Sequence, residues 1–401
     1  MEALFRELEE LVPRHFNGVE QSQVIDKWLN SDRDRLHKFQ NITHSWLLSM
    51  RDATASDIDF GAPGGRGMVW YRIYGVKKPV ESYGSFSNHA FTAIILASLS
   101  PSQKDILFMR KSVDFSLEIT EDDRKARFRG TVYYDRGSLC CNFRRINDKL
   151  YTIEGLGIPR PIAERLNLRN EKIGLILITG ITGSGKSTTL DAITDLNNRD
   201  NEAHIVIIGH PIEYVHESKR CLVRHREVGV DVLSFEAGAI EALRQDPDII
   251  IVGEMRDPRT IATVLEITDS GHKAFSTLHT SSAIDSIHRI IAEFPPEEQE
   301  RIRNRLADVL CVIMSQKLIP TVDGKLVMAK EILSVDSSVQ AAIRNKNIGE
   351  IYQMMVEGRR LGMLTLEQDL LELCKKGTIT NKTAMNYANN KKRMQQLLTM
   401  S

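Results

Sequence analysis

Hydrophobic positions along the chain fall into distinct textures. In the first fifty residues Leu4, Phe5, Leu8, Leu11 and Val12 recur at helical spacing, which predicts a helical extension over 1–50. Between about 52 and 147 the pattern shortens to strand-like runs: MVWYRIYG (68–75), FSLEI (115–119), ARFRGTVYYD (126–135) and SLCCNFRRI (138–146). A helix-like HAFTAIILASL lies between the first two, so residues 51–150 read as a small α+β domain. Residues 151–170 carry Gly155, Gly157, Pro159 and Pro161 and read as a linker. Continuous apolar runs then alternate with helical stretches: GLILITG (174–180), HIVIIG (204–209), DIIIVGE (248–254) and KAFSTLHT (273–280). Such runs mark parallel strands buried on both faces, so 171–335 is predicted to be a doubly wound α/β core. Its functional residues belong at the carboxyl ends of the strands. From about 300 onward the pattern reads as mostly helical, from EEQERIRNRLADVLCVIMSQKL to MNYANNKKRMQQLL, with 336–401 a C-terminal helical region.

Length and composition add limits. A chain of 401 residues exceeds one ordinary core, which favours two domains. Lys+Arg and Asp+Glu balance at 53 each, so no overall field gathers nucleic acid, which is not an expected partner. The five cysteines form no Cys-x-x-Cys pair, which points to a reducing compartment and no structural zinc. No apolar run approaches the roughly 20 residues of a membrane helix, so a cytoplasmic protein is expected.

The most specific local signal is Gly180-Ile181-Thr182-Gly183-Ser184-Gly185-Lys186-Ser187, followed by Thr188, set between an apolar strand and a helical TTLDAITDLNN. It satisfies G-x-x-x-x-G-K-[ST]. Its backbone N–H groups and helix start suit phosphate oxygens, Lys186 suits the β and γ phosphates, and the Ser187 hydroxyl suits Mg²⁺. A second signal, DPDIIIVGEMRDP, sets Glu254 just past a four-residue apolar run. If that strand neighbours the phosphate-loop strand, Glu254 stands near the γ-phosphate and can polarise water. Arg256 and Asp257 follow as candidates for contact with Mg²⁺ ligands or a neighbouring subunit; capping the next helix is the structural alternative for Glu254.

The segments GITGSGKSTTL, HPIEYVHESKRCLVRHREV, ALRQDPDIIIVGEMRDPRTIATVLEITDSGHKAFSTLHTSSAIDSIHRII and LGMLTLEQDLLELCKKGTIT resemble the secretion ATPases of type II and type IV systems, in particular the pilus-retraction (twitching-motility) branch. The resemblance is strong from about 170 to 380, weaker but ordered from about 54 to 150, and absent from the first fifty residues. It implies a PAS-like N-terminal domain followed by a RecA-like P-loop ATPase domain with C-terminal helices. It implies a homohexamer using ATP and Mg²⁺, cytoplasmic and peripheral at the inner membrane through a pilus platform protein. By the same resemblance Glu254 is the catalytic base and a metal ligand beside Ser187, and Glu213 belongs to an acidic box. A histidine box falls on His272 and His279, with His279 sensing the γ-phosphate. Arg127 or Arg129, Arg136 and Arg144 are the arginines that reach phosphates from the N-terminal domain.

Two departures stand out. Where the family carries Glu-Asp before Pro-Ile-Glu, this chain has Gly209-His210, leaving Glu213 alone; a neutral imidazole is a poor Mg²⁺ ligand. SVQAAIRNK (338–346), with Arg344, keeps only part of a longer alanine-isoleucine-arginine motif. The sequence therefore predicts an ATP-driven pilus-retraction motor. The alternatives are a type IV secretion-type assembly ATPase or a non-hydrolysing nucleotide-binding regulator on the same fold.

Overall fold

The computed structural model describes the chain except residues 14, 122–123, 147–149 and 401 and the side chains of 121, 124 and 125. It divides into two compact units, Met1–Asp148 and Lys149–Ser401. Among the described residues no helix is long and apolar enough to cross a membrane.

The first unit begins with helices α1 (Glu2–Leu11), α2 (Gly18–Asn30) and α3 (Arg33–Asp52). Strands β1 (Ala55–Gly61), β2 (Trp70–Ile73) and β3 (Val76–Pro79), helices α4 (Asn88–Ala97) and α5 (Pro101–Arg110), and strands β4 (Ser112–Glu121), β5 (Arg124–Asp135) and β6 (Ser138–Arg145) follow. The strands form one antiparallel sheet in the order β3-β2-β1-β6-β5-β4. Period-two alternation sorts its faces. Ile58, Phe60, Tyr71, Phe128, Val132 and Phe143 join a core with Leu8, Trp28, Phe39 and Trp46 of the first three helices. The 1–50 segment is thus continuous with the sheet's core. α4 is buried at nearly every position, which explains why HAFTAIILASL lacks a polar face. Gly130 is required because a Cβ there would stand 2.6 Å from Phe115 Cζ and 2.8 Å from Phe143 Cε1.

In the second unit α6 (Arg160–Leu166) precedes β7 (Gly174–Thr179), α7 (Lys186–Asp200), β8 (His204–Gly209), β9 (Leu222–Glu227), α8 (Phe235–Ala242), β10 (Ile249–Val252), α9 (Pro258–Asp269) and β11 (Lys273–Leu278). Helices α10 (Ala283–Ala292) and α11 (Gln299–Val309), strands β12 (Leu310–Pro320) and β13 (Leu326–Ser334), and helices α12 (Ser337–Arg344), α13 (Ile351–Glu357), α14 (Leu366–Lys375), α15 (Asn381–Tyr387) and α16 (Lys391–Met400) complete it. The sheet order is β13-β12-β7-β11-β10-β8-β9, parallel except for β13. Every residue of β7, β10 and β11 is buried, the reason these strands read as unbroken apolar runs.

Three features differ from the sequence reading. Residues 310–320, read as helix, form β12, wedged between β7 and β13; LCVIM is buried at consecutive positions and has no 3.6-residue period. LVRHRE, to which the sequence reading assigned no element, is the edge strand β9, with Leu222 and Arg224 exposed and Val223 and Glu227 buried. Residues 151–170, read as a linker, bury Ile153, Ile158, Ile162 and Leu166 under the second unit's sheet.

Candidate active site: a phosphate loop joined to a carboxylate through a histidine

The parallel strands deliver their carboxyl ends to one edge: β7 to the Gly180–Gly185 loop, β11 to His279, β10 to Glu254 and β8 to Gly209 and Glu213. The strand carrying Glu254 does not neighbour β7, the condition on which the sequence reading placed Glu254 near the γ-phosphate. β11 lies between them, with Leu278 beside Thr179 and Ser276 beside Val252.

The loop's backbone is shaped for an anion. Gly180, Gly183 and Gly185 have φ of 148°, 79° and 85°, and α7 starts at Lys186. A Cβ at Gly180 would stand 2.4 Å from Ser184 Oγ and 2.5 Å from the Gln316 carbonyl, whereas one at Gly183 meets no atom within 4 Å. Ser184 Oγ is buried without a hydrogen-bond partner. Ile181 and Thr182 are exposed, and Ser187 and Thr188 half-buried behind the loop. An open, N–H-rich cradle with a spare hydroxyl fits a nucleotide's phosphates.

Lys186 Nζ donates to the carbonyls of Gly180 at 2.9 Å and Ile181 at 3.2 Å, and at 3.5 Å to Nδ1 of His279. On the far side of that imidazole, Nε2 stands 2.8 Å from Oε1 of Glu254, and Arg256 Nε reaches the same oxygen at 2.5 Å. Both contacts lie off hydrogen-bond direction, leaving a buried carboxylate oxygen without a directed donor. Partial burial, then the Lys186 charge, hold the His279 pKa below its ordinary value, favouring the neutral ring. Burial likewise lowers Lys186, opposed by the charges of Glu254 and Glu213. Glu213 is exposed on the loop after β8 and acts on Lys186 through this field.

Asp257, and not Glu254, caps the following helix: its carboxylate accepts Thr260 N at 2.9 Å and Thr260 Oγ1 at 2.7 Å, ahead of Pro258 at the first helical position. Glu254 is thereby left to the site. His210 is exposed and donates from Nδ1 to the Val228 carbonyl at 3.0 Å. A Cβ at Gly209 would stand 2.7 Å from Ile212 Cδ1. His272 lies at the start of β11, opposite His279 along a strand about 20 Å long, and its Nδ1 is 2.9 Å from Ser270 Oγ.

The four arginines lie in the first unit. Arg127, Arg129 and Arg144 alternate onto the sheet face away from its helices, and Arg129 sits directly opposite Arg144. Arg144 Nε donates to the buried Asp57 at 2.9 Å, Arg127 pairs with Glu118 at 3.7 Å, and Arg136 occupies the β5–β6 turn with φ of 51°. Arg344 at the end of α12 pairs with Asp308.

Sequence reading missed Gln316. This β12 residue, 2% exposed, donates from Nε2 to the Ser184 carbonyl at 2.8 Å and accepts from Thr189 Oγ1 at 3.0 Å, bracing the phosphate loop and the first turn of α7 together. Nothing in a local motif marks it, because the contact closes across 132 residues of chain. Among the described residues no group of three or more His, Cys, Asp or Glu side chains is arranged to hold a metal ion unaided.

The profile for "Type II/IV secretion system protein" matches residues 46–400. The chain is 42% identical over 275 residues to the "Type IV pilus retractation ATPase PilT" of Pseudomonas aeruginosa, covering 69% of this chain and 78% of that one. It is 37% identical over 302 residues to a "Twitching motility protein" of Neisseria gonorrhoeae, covering 75% and 79%. Its fold superposes on a crystal structure described as the pilus retraction motor PilT with bound ADP, with TM-score 0.79 and 35% identity over 89% of this chain and 98% of that one. The chain belongs to the type II/IV secretion system protein family.

Proposed function

We propose that this protein is an ATP-hydrolysing motor that drives retraction of a type IV pilus. The observation that carries the reading is the close succession of the phosphate-loop Lys186, His279 and the carboxylate of Glu254, whose Oε1 is buried. The relatives named for pilus retraction and twitching motility supply the system served.

ATP phosphates lie along the Gly180–Ser187 loop, held by its N–H groups, Lys186 and the start of α7. Glu254 orients the attacking water and receives its proton as the bond to the γ-phosphoryl breaks and ADP leaves. His279, neutral and with Nε2 2.8 Å from Glu254 Oε1, lies against that carboxylate and places the ring where departure of the γ-phosphate is felt by Lys186 and Glu254 together. Ser187 and Glu254 would hold Mg²⁺, with Glu213 adding negative charge nearby; the ion supplies neutralisation of phosphate charge. Arg127, Arg129 and Arg144 on one sheet face, with Arg136 on the β5–β6 turn, supply cations suited to phosphates of a nucleotide held by another copy, in a homohexamer. In the same reading 51–150 is the PAS-like domain and 171–335 the RecA-like core. The protein is cytoplasmic, peripheral at the inner membrane through a pilus platform protein.

A second reading follows from Gly209 and His210: a nucleotide-gated regulator that binds without hydrolysing. Mg²⁺-dependent ATP hydrolysis by wild type, Lys186→Ala and Glu254→Gln separates the two. Turnover by wild type that both substitutions abolish, with nucleotide binding surviving in Glu254→Gln, supports the motor. Binding without turnover in wild type supports the regulator.

A further inference from the structure

The His279 loop is held from below as well as from the phosphate side. Arg289 Nη1 of α10 donates to the His279 carbonyl at 2.8 Å, Thr280 Oγ1 and Ser286 Oγ are 2.6 Å apart, and Ser286 Oγ donates to the Ser282 carbonyl at 2.7 Å. The loop therefore moves with α10. That helix is fixed at its first N–H group: Ala283 N donates at 2.7 Å to Oε1 of Glu331, which reaches across from the middle of β13. Glu331 is buried, and it lines a pocket of about 410 Å³ together with Ser281, Asp285, Tyr352, Glu367 and Asn389.

We propose that Glu331 is a positioning residue for hydrolysis, its carboxylate pinning the start of α10 and, through it, the loop that presents His279 to Glu254. The inference rests on the hydrolysis reading above. A carboxylate at a helix N-terminus accepts a stronger hydrogen bond than a neutral carboxyl and is favoured by the helix dipole, so the pin is tight when Glu331 is ionised and slack when it is protonated. The groups facing it decide when that happens. Glu367 from α14 and Asp285 from α10 oppose a further negative charge, and Lys317 from β12 favours it. Tyr352 from α13 donates to Glu367 at 3.2 Å, and Asn390 N donates to Glu367 at 2.8 Å. Lys330 and Asp369 pair with each other at 3.6 Å. Burial first, then Glu367 and Asp285, push the Glu331 carboxyl up to about 7, so the pin changes state near neutrality. The same cavity ties the loop to the C-terminal helices: Asn389 Nδ2 donates to the Ser281 carbonyl at 3.2 Å, while Lys317 Nζ holds Asn389 Oδ1 at 2.7 Å.

The test uses the full chain, wild type beside Glu331→Gln, which keeps an acceptor of the same shape but cannot ionise. kcat and KM for ATP are measured between about pH 6 and 8.5, together with amide exchange at Ala283, corrected for intrinsic rates. The expected result is a wild-type kcat that rises about fivefold through neutrality at constant KM, with Ala283 exchange slowing in the same window. Glu331→Gln flattens both. Wild-type turnover whose profile and Ala283 exchange persist unchanged in Glu331→Gln overturns the positioning role alone. Absence of wild-type turnover at every pH overturns the hydrolysis reading and the positioning role with it.

Discussion

Gln316→Met tests whether the phosphate loop is braced from β12. Methionine keeps the volume and flexibility of the side chain but removes both hydrogen bonds, at 2.8 Å to the Ser184 carbonyl and 3.0 Å from Thr189 Oγ1. The residue is 2% exposed, so neither abandoned group recovers a water partner easily. An unsatisfied buried polar group costs about 1–3 kcal/mol, which puts the pair at about 2–6 kcal/mol. Part of that appears as global stability, at about 2–4 °C of melting temperature per kcal/mol in a unit of this size. The remainder loosens the loop, and ordering it again on nucleotide weakens ADP binding about tenfold to hundredfold. Calorimetric titration with ADP and a thermal melt read the two effects separately. Thr189→Val removes one bond and should give the smaller effect, while the double variant costs little more than Gln316→Met alone because the two share one network. A melting temperature that falls while ADP affinity stays within twofold refutes the brace and leaves Gln316 a packing residue.

Further predictions follow from the same geometry. Glu254→Gln keeps nucleotide affinity and lowers kcat at least about hundredfold in single-turnover measurements, since the base is removed from an otherwise intact site. His210→Asp changes ATP turnover by less than about threefold, because His210 is exposed and spends Nδ1 on the Val228 carbonyl; a tenfold gain would show that Glu213 does not suffice. Lys273, buried and donating to the carbonyls of Arg165 at 2.7 Å and Glu171 at 2.5 Å, has its pKa lowered from 10.5 to about 8, chiefly by burial. Between those two values the unfolded chain binds the extra proton, so wild-type stability rises with pH relative to Lys273→Met, by at most about 3 kcal/mol. Urea unfolding of both proteins across that window measures the difference.

What the sequence made legible were the features written in consecutive residues. The Gly180–Ser187 loop announces itself because the strand, the glycines and the helix start are contiguous, and the fold keeps them so. Asp257-Pro258 was equally readable as a helix cap followed by a first-turn proline, and reading it so would have freed Glu254 from the capping alternative at once. Strand order was not readable. Periodicity marks 249–252 and 273–278 as buried strands, but nothing local says that β11 is inserted beside β7, and that insertion is what brings His279 between Lys186 and Glu254. β12 was mistaken for helix for the same reason that it matters: a strand buried on both faces loses its alternation, and only an inserted strand can carry Gln316 to the phosphate loop.

The same logic assigns the unusual Gly209-His210 pair its consequence. β8 is separated from β7 by β10 and β11, so the β8 end reaches the phosphate loop less directly than His279 does, and the charge it contributes acts on Lys186 from Glu213. With no acid at 209 or 210, the negative charge that this strand end brings to Lys186 is that of Glu213, and the contacts from Lys186 through His279 to Glu254 involve neither position. An acid at 209 would also need Ile212 to move, because a Cβ there already stands 2.7 Å from its Cδ1. The tight strand end thus favours glycine at 209 for packing, whereas His210 is exposed and spends Nδ1 on the Val228 carbonyl, so it takes no part in the contacts from Lys186 to Glu254.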